Sequence, residues 1–314
     1  MKDRTLVAIG DLHGDYYKAE RMLLEADLLL PGSLSWNPAR SRVDLVFLGD
    51  YVDWRGEALE GPEAEWPLGA RRVLELVHRL HRELDELRSN EDGFDSHLFA
   101  LVGNHDDMML EAHRALEVVA VEALEEVLAA SQRRLGRCLR EIHQLGFSPE
   151  QAASTVAFFQ WYCQGGLETM EAFGGLRAWR QAMDSELGDF LRRELRLGVV
   201  LNRRLFVHSA PDQREFWRPL EEIAALPGAR RSLTWSRRIW GYDSETGFPT
   251  DALTRDDVDE MLAGMGVDGL VVGHTPLSQD GRPVSAFENR VVNLDLHGFH
   301  NAPALVEEYR GEHP

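Results

Sequence analysis

The chain has 314 residues, 44% of them hydrophobic and 28% charged, which is typical of a soluble globular protein. Its formal net charge of −19 argues against a nucleic-acid partner, because phosphate backbones are bound by basic surfaces. No apolar run approaches the roughly 18 residues that span a bilayer, so no membrane partner is expected. Two cysteines without metal-binding spacing, Cys138 and Cys163, and the lack of a signal-peptide layout favour a cytoplasmic location.

The first hundred residues alternate between predicted strands and helices. Apolar runs predict strands over Thr5–Gly10, Val43–Gly49 and Leu98–Val102. Helical spacing of apolar residues predicts helices over Asp15–Leu28 and Pro67–Leu87. This order of elements is typical of an α/β fold with parallel strands.

From Asp107 to Leu197 the strand signals disappear, and Leu, Ala, Glu and Arg dominate. Glycines divide this block into predicted helices over about 107–131, 133–145, 149–163, 167–173 and 176–195. The block interrupts the series of strands, so we interpret it as an insertion at about 107–197 within a single domain spanning residues 1–314. Two roles suit it, a helical layer packed on a sheet and a cap that overhangs the site, and we favour a mixture in which the cap role predominates.

Strand signals return after the insertion. A hairpin is predicted over Val199–His208, with its turn at Asn202-Arg203, and a helix over Asp251–Leu262. Further strands are predicted over Gly269–Gly273, Arg290–Asp295 and Ala304–Tyr309. The fold class is therefore predicted to be α/β with mixed strands.

Residue types that bind metals follow directly after the predicted strands. The groups are Gly10–Gly14 (Gly-Asp-Leu-His-Gly), Gly49–Asp53 (Gly-Asp-Tyr-Val-Asp), Gly103–Asp106 (Gly-Asn-His-Asp), His208 and Gly273–Thr275 (Gly-His-Thr). Loops at the carboxyl ends of neighbouring strands converge on one crevice, so these side chains can meet in space. Their mixed oxygen and nitrogen donors favour Mn²⁺, Fe or Zn²⁺ over a thiolate-bound metal.

We assign the candidate ligands to two metal ions. Asp11, His13 and Asp50 are expected to hold the first ion, and Asp50, Asn104, His208 and His274 the second. Two ions about 3.5–4 Å apart need one carboxylate that reaches both, and Asp50, at the end of the central strand, is the candidate. Such a pair activates water at neutral pH and clamps phosphoryl oxygens.

His105 lies beside the ligand Asn104 and is better placed as the general acid for a leaving oxygen. That role needs a protonated imidazole, which a neighbouring carboxylate orients and stabilises. Asp53, three residues after Asp50, is the expected partner. For His297, packing within its loop is favoured over a position in the crevice.

These motifs resemble the calcineurin-like metallophosphoesterases, and specifically the bacterial phosphoprotein phosphatase branch. The resemblance spans residues 10 to 295 and is weakest in the helical insertion. It extends to Trp161–Gly166, which is similar to a Trp-x-x-Asn-Gly-Gly segment, and to Leu233–Arg237, which is similar to a Leu-Leu-Trp-x-Arg segment. The family fold that this implies is a β-sandwich of mixed strands flanked by helices (αββα), here with a mainly helical cap insertion.

The chain departs from the family pattern at two positions within the motifs. Trp54 separates Asp53 from Arg55, where the family has Asp-Arg-Gly, and that Arg grips the substrate phosphate. The resemblance therefore implies Arg55 as a phosphate-binding residue in a displaced position, with Arg237 sharing the task. Asp106 stands where the family has Glu, and the shorter carboxylate is expected to keep its structural hydrogen bonds.

The resemblance implies a dimetal phosphatase, with Mn²⁺ as the expected ion in vitro and Fe or Zn²⁺ as alternatives. It would hydrolyse phosphomonoesters by attack of a metal-bridging hydroxide, with phosphorylated proteins or peptides (Ser/Thr or Tyr) or small phosphoesters as substrates. A dinucleoside polyphosphate hydrolase of the diadenosine tetraphosphate type is the alternative. A catalytically weak binding or regulatory homologue is a third interpretation, which only the displaced Arg55 supports.

Overall fold

A computed structural model describes residues 3–54, 69–243, 246–296, 299 and 301–310, and these residues form two mixed sheets flanked by helices. The strands are β1 (Asp3–Ile9), β2 (Val43–Phe47), β3 (His97–Ala100), β4 (Gly198–Leu201), β5 (Arg204–Val207), β6 (Gly269–Val272), β7 (Val284–Ala286), β8 (Val291–Asn293) and β9 (Leu305–Arg310). The first sheet has the order β3-β2-β1-β9 and the second the order β4-β5-β6-β8-β7. Only β9 is antiparallel in the first sheet, whereas β5, β6 and β8 are the parallel strands of the second.

The helices cover the outer faces of the two sheets. They are α1 (Tyr16–Glu25), α2 (Gly69–Asn90), α3 (Asn104–Val118), α4 (Val121–Ser131), α5 (Leu135–Gln144), α6 (Pro149–Trp161), α7 (Leu167–Ala172), α8 (Leu176–Met183), α9 (Glu186–Glu194), α10 (Leu220–Ile223), α11 (Ala229–Trp235) and α12 (Arg255–Met265). A kinked turn, Tyr162–Gly166, joins α6 to α7, and Gln164 and Gly165 within it have non-helical backbone.

Strand alternation shows why the sheets stack. Leu6 and Ala8 of β1 lie in the core between the sheets, whereas Val7 and Ile9 pack in the core under the helices. In the second sheet, Phe206 faces the inner core while its neighbours face α10–α12. Side chains of successive strand residues point to opposite faces, so each of these strands is apolar on both sides. The expected αββα layering is confirmed.

Two long helices of the predicted insertion are each divided in the structure. The helix predicted over 107–131 begins at Asn104 and is interrupted at Val119, whose φ of −117° and ψ of 127° are extended. The helix predicted over 176–195 is interrupted at Asp184-Ser185, and the Ser185 hydroxyl caps α9 by accepting from Leu187 N. The predictions were wrong there because the helical spacing of apolar residues continues across both breaks.

The predicted hairpin is confirmed, and its turn explains its position. Asn202 and Arg203 have φ of 47° and 58°, the left-handed pair that a tight two-residue hairpin requires. The short elements β7, α10 and α11 were not predicted. Within the described residues, no helix combines the length and the apolar character needed to cross a bilayer. The cytoplasmic location stays a prediction.

Candidate metal centre

The proposed ligands lie at the carboxyl ends of strands from both sheets, in turns where two glycines allow close approach. A Cβ on Gly103 would stand 2.1 Å from Asp50 Oδ1, and one on Gly273 would stand 2.1 Å from Asp11 Oδ1. Any larger residue would therefore push a carboxylate out of the centre. Both positions therefore require glycine, because only a residue without a side chain leaves room for the carboxylates.

Four residues of the centre have left-handed backbone, which side chains other than glycine rarely adopt. They are His13, Asp50, Asp53 and His274, with φ of 46°, 53°, 66° and 68°. Such conformations persist only where surrounding contacts hold them, and they concentrate at functional sites. The strain is therefore located where the sequence predicts the chemistry.

Asp50 occupies the middle of the cluster. Its Oδ2 lies 3.6 Å from His13 Nε2 and 3.4 Å from His208 Nε2. Its Oδ1 accepts a hydrogen bond from the backbone N–H of His105 at 2.9 Å. One carboxylate oxygen thus faces a histidine of each proposed metal position, which is the geometry that a bridging ligand needs.

Backbone carbonyls select the tautomers of two histidines. His13 Nδ1 lies 3.1 Å from Val52 O, and His208 Nδ1 lies 2.9 Å from Leu48 O. A carbonyl oxygen can only accept a hydrogen bond, so each Nδ1 carries the ring proton. Each Nε2 then has a lone pair that can bind a metal ion. His208 Nε2 also lies 3.1 Å from Asn104 Oδ1, which brings a further proposed ligand to the same point.

His274 is oriented in the opposite sense. Its Nε2 lies 2.9 Å from Trp235 O and 3.1 Å from Arg237 Nε. Both contacts use Nε2, so Nδ1 of His274 is the ring nitrogen that remains for a metal.

The buried carboxylates of the centre need positive charge nearby to compensate them. Burial, with the charge of Asp295, raises the pKa of Asp11, although its oxygens accept from the backbone N–H of His274 at 3.0 and 3.2 Å. Burial lowers the pKa of His208, but Asp50 outweighs it and raises that pKa to about 10. Without an ion, protons compensate the carboxylates at these positions.

Two groups of ligand atoms lie close enough to hold metal ions. Within the described part of the chain, one group is His13, Asp50 and His105, and the other is Asp50, His208 and His274, with the atoms of each group within 4.8 Å of one another. The two groups share Asp50, their side chains are buried, and they offer both oxygen and nitrogen ligand atoms, which fits a dinuclear site. The first group differs from the predicted ligand set, because it includes His105 and lacks Asp11.

His105 and Asp53 form a buried pair beside this centre. His105 Nδ1 lies 2.8 Å from Asp53 Oδ2, which leaves Nε2 of the imidazole available. Trp161 Nε1 donates to both oxygens of Asp53 at 3.0 and 3.1 Å, and Thr169 Oγ1 donates to Oδ1 at 2.6 Å. Burial raises the pKa of Asp53, while the hydrogen bond and the charge of His105 oppose that rise.

Trp161 and Thr169 belong to the helical insertion, so the insertion supplies the support of this pair. The sequence indicated Trp161 only through the family resemblance, and a role for Thr169 was not predicted. The segment also fits closely around Asp53, because a Cβ on Gly165 would stand 2.6 Å from Asp53 Cβ. The Trp-x-x-x-Gly-Gly pattern was the available signal.

Lys18 is a second residue that sequence analysis missed. Its side chain is buried, and Nζ donates to Asp11 O at 3.0 Å and to Leu296 O at 3.1 Å. Burial lowers the pKa of Lys18, and the charges of Asp295, Asp15 and Asp11 oppose that shift. The signal was its rarity, since Lys2 and Lys18 are the only lysines among 34 basic residues.

Asp106, in the motif Gly103–Asp106, fixes the backbone of the motif Gly49–Asp53 through hydrogen bonds. Its carboxylate accepts from the backbone N–H groups of Asp50 at 2.7 Å, Gly103 at 2.9 Å and Tyr51 at 3.0 Å. Burial raises its pKa to about 7, with the charge of Asp50 adding to the rise. The residue keeps the structural hydrogen bonds expected of the family's longer Glu.

The two proposed phosphate-binding arginines have different outcomes. Arg237 lies beside the proposed ligand His274, at the edge of the centre. Arg55 lies outside the described residues, as does His297.

The family model for calcineurin-like phosphoesterases matches residues 4–278. The match covers most of the chain, so the protein belongs to the calcineurin-like phosphoesterase family. It is a metal-dependent phosphoester hydrolase of a family that uses two metal ions. No curated protein sequence matches it significantly.

The chain is similar to solved phosphatase structures of low sequence identity. A cold-active protein-tyrosine phosphatase of a psychrophilic Shewanella species is 19% identical, with a TM-score of 0.56 over 96% of this chain and 75% of that one. A protein serine/threonine phosphatase from Saccharomyces cerevisiae is 16% identical, with a TM-score of 0.46 over 99% of this chain and 81% of that one. The Shewanella likeness, at this identity, establishes the shared fold.

Proposed function

We propose that this protein is a phosphatase for phosphomonoesters on proteins or peptides, on Ser/Thr or Tyr, working with two bound ions. The observation that carries the proposal is the Asp50 carboxylate between His13 and His208, with the His105–Asp53 pair beside it. Mn²⁺ is the ion we expect to support activity in vitro, with Fe or Zn²⁺ as alternatives.

The six proposed ligands are Asp11, His13, Asp50, Asn104, His208 and His274. Two ions held there would activate water and neutralise phosphoryl oxygens during an in-line displacement. Arg237, at the edge of the centre, is proposed to orient the phosphate, since a guanidinium matches phosphate geometry.

In this proposal His105 donates the proton that the leaving oxygen needs, from Nε2. Asp53 Oδ2 lies 2.8 Å from Nδ1 and orients the ring for that transfer. Trp161 and Thr169 fix Asp53 in turn, so the ring keeps one orientation. The burial of all four side chains excludes competing water from the pair.

The choice of substrate class rests on one structural relative. The Shewanella protein described above is named as a protein-tyrosine phosphatase. The insertion at about 107–197 is proposed to cap the site, because its residues reach Asp53.

The test compares substrates on the Mn²⁺-loaded protein. We expect hydrolysis of p-nitrophenyl phosphate and phosphopeptides, loss of activity on chelation, and kcat/KM at least tenfold lower for diadenosine tetraphosphate, about the discrimination that one unpaired charged group gives. The reverse preference would support the dinucleoside polyphosphate hydrolase, and no hydrolysis with any ion would support a binding protein.

Asp50→Asn tests the bridging position directly. We expect it to lower both metal content, measured by mass spectrometry, and activity, because the amide removes a charge that both ions share. Full activity in this variant would contradict the bridge.

A further inference from the structure

A cluster of aromatic side chains lies inside the helical insertion, next to the His105–Asp53 pair. Its members are Phe158 and Trp161 of α6 and Trp179 of α8, and all three are fully buried. The indole rings of Trp161 and Trp179 are 4.8 Å apart between centroids, at an angle of 33°. Phe158 meets both indoles edge-on, with its centroid 5.5 Å from that of Trp161 and 6.0 Å from that of Trp179. Each ring of the cluster therefore contacts the other two.

Trp161 is the member of this cluster that reaches the catalytic pair of the proposed function. Its indole N–H donates to both oxygens of Asp53, at 3.0 and 3.1 Å. The same ring packs against Gly166, because a Cβ on that glycine would stand 2.5 Å from Trp161 Cδ2. The N–H points only where the ring directs it, so the packing of the ring determines how well the N–H holds the carboxylate.

Trp179 acts on Trp161 through its ring. The indole N–H of Trp179 is buried and has no hydrogen-bond partner among the described residues, so packing accounts for its place. Ring pairs at such separations attract one another beyond the effect of their burial. His113, from the same helix as His105, meets the Trp179 ring edge-on, with centroids 5.9 Å apart. Trp179 thus packs on both α3 and α6, and it fixes the Trp161 ring relative to the helix that carries the proposed acid.

We propose that Trp179 is a positioning residue for the general acid. It holds the indole of Trp161 so that the N–H stays on the Asp53 carboxylate. Through that carboxylate it orients the ring of His105. The inference rests on the proposed function, since it adds a residue to the proton transfer of that reaction. It gives the insertion a part in the chemical step, separate from any contact that the insertion makes with substrate.

Leaving groups of different basicity test this role on the Mn²⁺-loaded protein. A general acid matters most when the leaving oxygen is basic, so a misplaced acid slows phenyl phosphate more than p-nitrophenyl phosphate. We expect Trp179→Leu to lower kcat for phenyl phosphate about tenfold more than kcat for p-nitrophenyl phosphate, with KM nearly unchanged. Trp179→Phe keeps a ring at this position and should restore most of the wild-type ratio. Should the leucine variant fail to fold, Trp179→Met, which fills more of the site without a ring, takes its place.

A double-mutant cycle shows through which residue Trp179 acts. Trp161→Phe removes the donor to Asp53 and keeps a ring, so it should lower the same ratio of kcat values. Adding Trp179→Leu to Trp161→Phe should change the ratio no further, because no N–H is left to position. The control is Phe190→Leu, since Phe190 is buried in α9 of the same insertion and stacks on His78 at 5.1 Å between centroids. It should lower stability and leave the ratio unchanged.

Hydrogen exchange separates this inference from the proposed function. Exchange of the Trp161 indole N–H, followed by NMR on protein with ¹⁵N-labelled tryptophan, should be about tenfold faster in Trp179→Leu than in the wild type. Unchanged exchange, an additive cycle, or the same kcat loss on both esters would overturn the role of Trp179. If the wild type hydrolyses neither ester but exchange is faster in Trp179→Leu, the proposed function fails, and Trp179 still positions the donor on Asp53.

Discussion

At the scale of single residues, the centre depends on side chains that hold other side chains. His105 is fixed by Asp53, and Asp53 by Trp161 and Thr169. His13, His208 and His274 are each held by a backbone carbonyl. Such partners set tautomer and orientation, so they determine which nitrogen reaches a metal or a leaving group.

His105→Asn distinguishes the general acid from a metal ligand. As the acid, His105 contributes about 10²–10⁴-fold to kcat, so we expect that loss at unchanged metal content. The measurements are steady-state kinetics and metal analysis of the same preparation. His143→Asn, on the exposed surface of α5, is the control and should change neither. Loss of one ion from His105→Asn would place this residue with His13 and Asp50 as a ligand.

Lys18→Met tests the buried positive charge behind Asp11. Without the ammonium, two carbonyls and nearby carboxylates lose their partner, so we expect about 3–5 kcal/mol less stability in chelator. Urea unfolding measures the loss, and saturating Mn²⁺ should reduce it because bound ions supply positive charge. Arg255→Met, at an exposed cation of α12, should change stability by no more than about 0.5 kcal/mol.

At the scale of elements, the kinked turn between α6 and α7 places the insertion against the His105–Asp53 pair. Gly165 within that turn has a φ of 119° and lies against Asp53. The turn therefore connects the packing of the insertion with the orientation of His105, through one carboxylate.

Gly165→Ala should displace Asp53 and lower kcat on the order of 10²-fold, because a shift of about 1 Å in a catalytic group has that effect. Gly175→Ala is a matched control, since Gly175 has a φ of 108° but nothing within 4 Å of an added Cβ. Gly175→Ala should lose about 1–3 kcal/mol of stability from its strained backbone, and Gly165→Ala should lose more, because its added Cβ also meets Asp53. Equal kcat in the two variants would show that the turn does not position Asp53.

Strand positions were predictable because a strand buried on both faces is a short apolar run, and the metal-binding residue types follow those runs. Thr169 and Lys18 were not, because their roles arise from contacts between distant segments. Thr169 meets Asp53 across 116 residues, and Lys18 meets Leu296 across 278. The break at Val119 was also missed, because it depends on packing rather than on a glycine or a proline.

At the scale of the whole molecule, a cluster of charged side chains connects the strands of the first sheet at the ends farthest from the centre. Arg4, which is buried, donates to Asp44 at 2.8 Å and also pairs with Asp95, while the Tyr309 hydroxyl donates to Asp44. The cluster joins β1, β2 and β9 with the segment before β3. Ion pairs therefore stabilise the sheet at the strand ends opposite the centre.

Asp95→Asn tests the pH dependence of this cluster. Burial raises the pKa of Asp95, but His97 and Arg4 outweigh it, and the folded pKa is lower than usual. The stabilisation is thus present above the unfolded pKa of about 3.9 and is lost as pH falls through the folded value. Asp95 is 44% exposed, so the effect should stay below about 1 kcal/mol.

Urea unfolding between pH 3 and 6, with chelator present, measures this difference. Wild type should exceed Asp95→Asn in stability at pH 6, and the two should converge toward pH 3. Asp92→Asn, at an exposed carboxylate nearby, should follow the wild type throughout. A constant gap across this pH range would contradict the ionic origin of the stabilisation.

The left-handed conformations of His13, Asp50, Asp53 and His274 restrict how this chain can evolve. Glycine at any of these four positions would relieve the backbone strain, yet it would remove a proposed ligand or the partner of the proposed acid. Selection for stability and selection for turnover therefore act in opposite directions on the same four codons. A lineage released from the need for catalysis should lose these residues early, and glycine or asparagine should replace them.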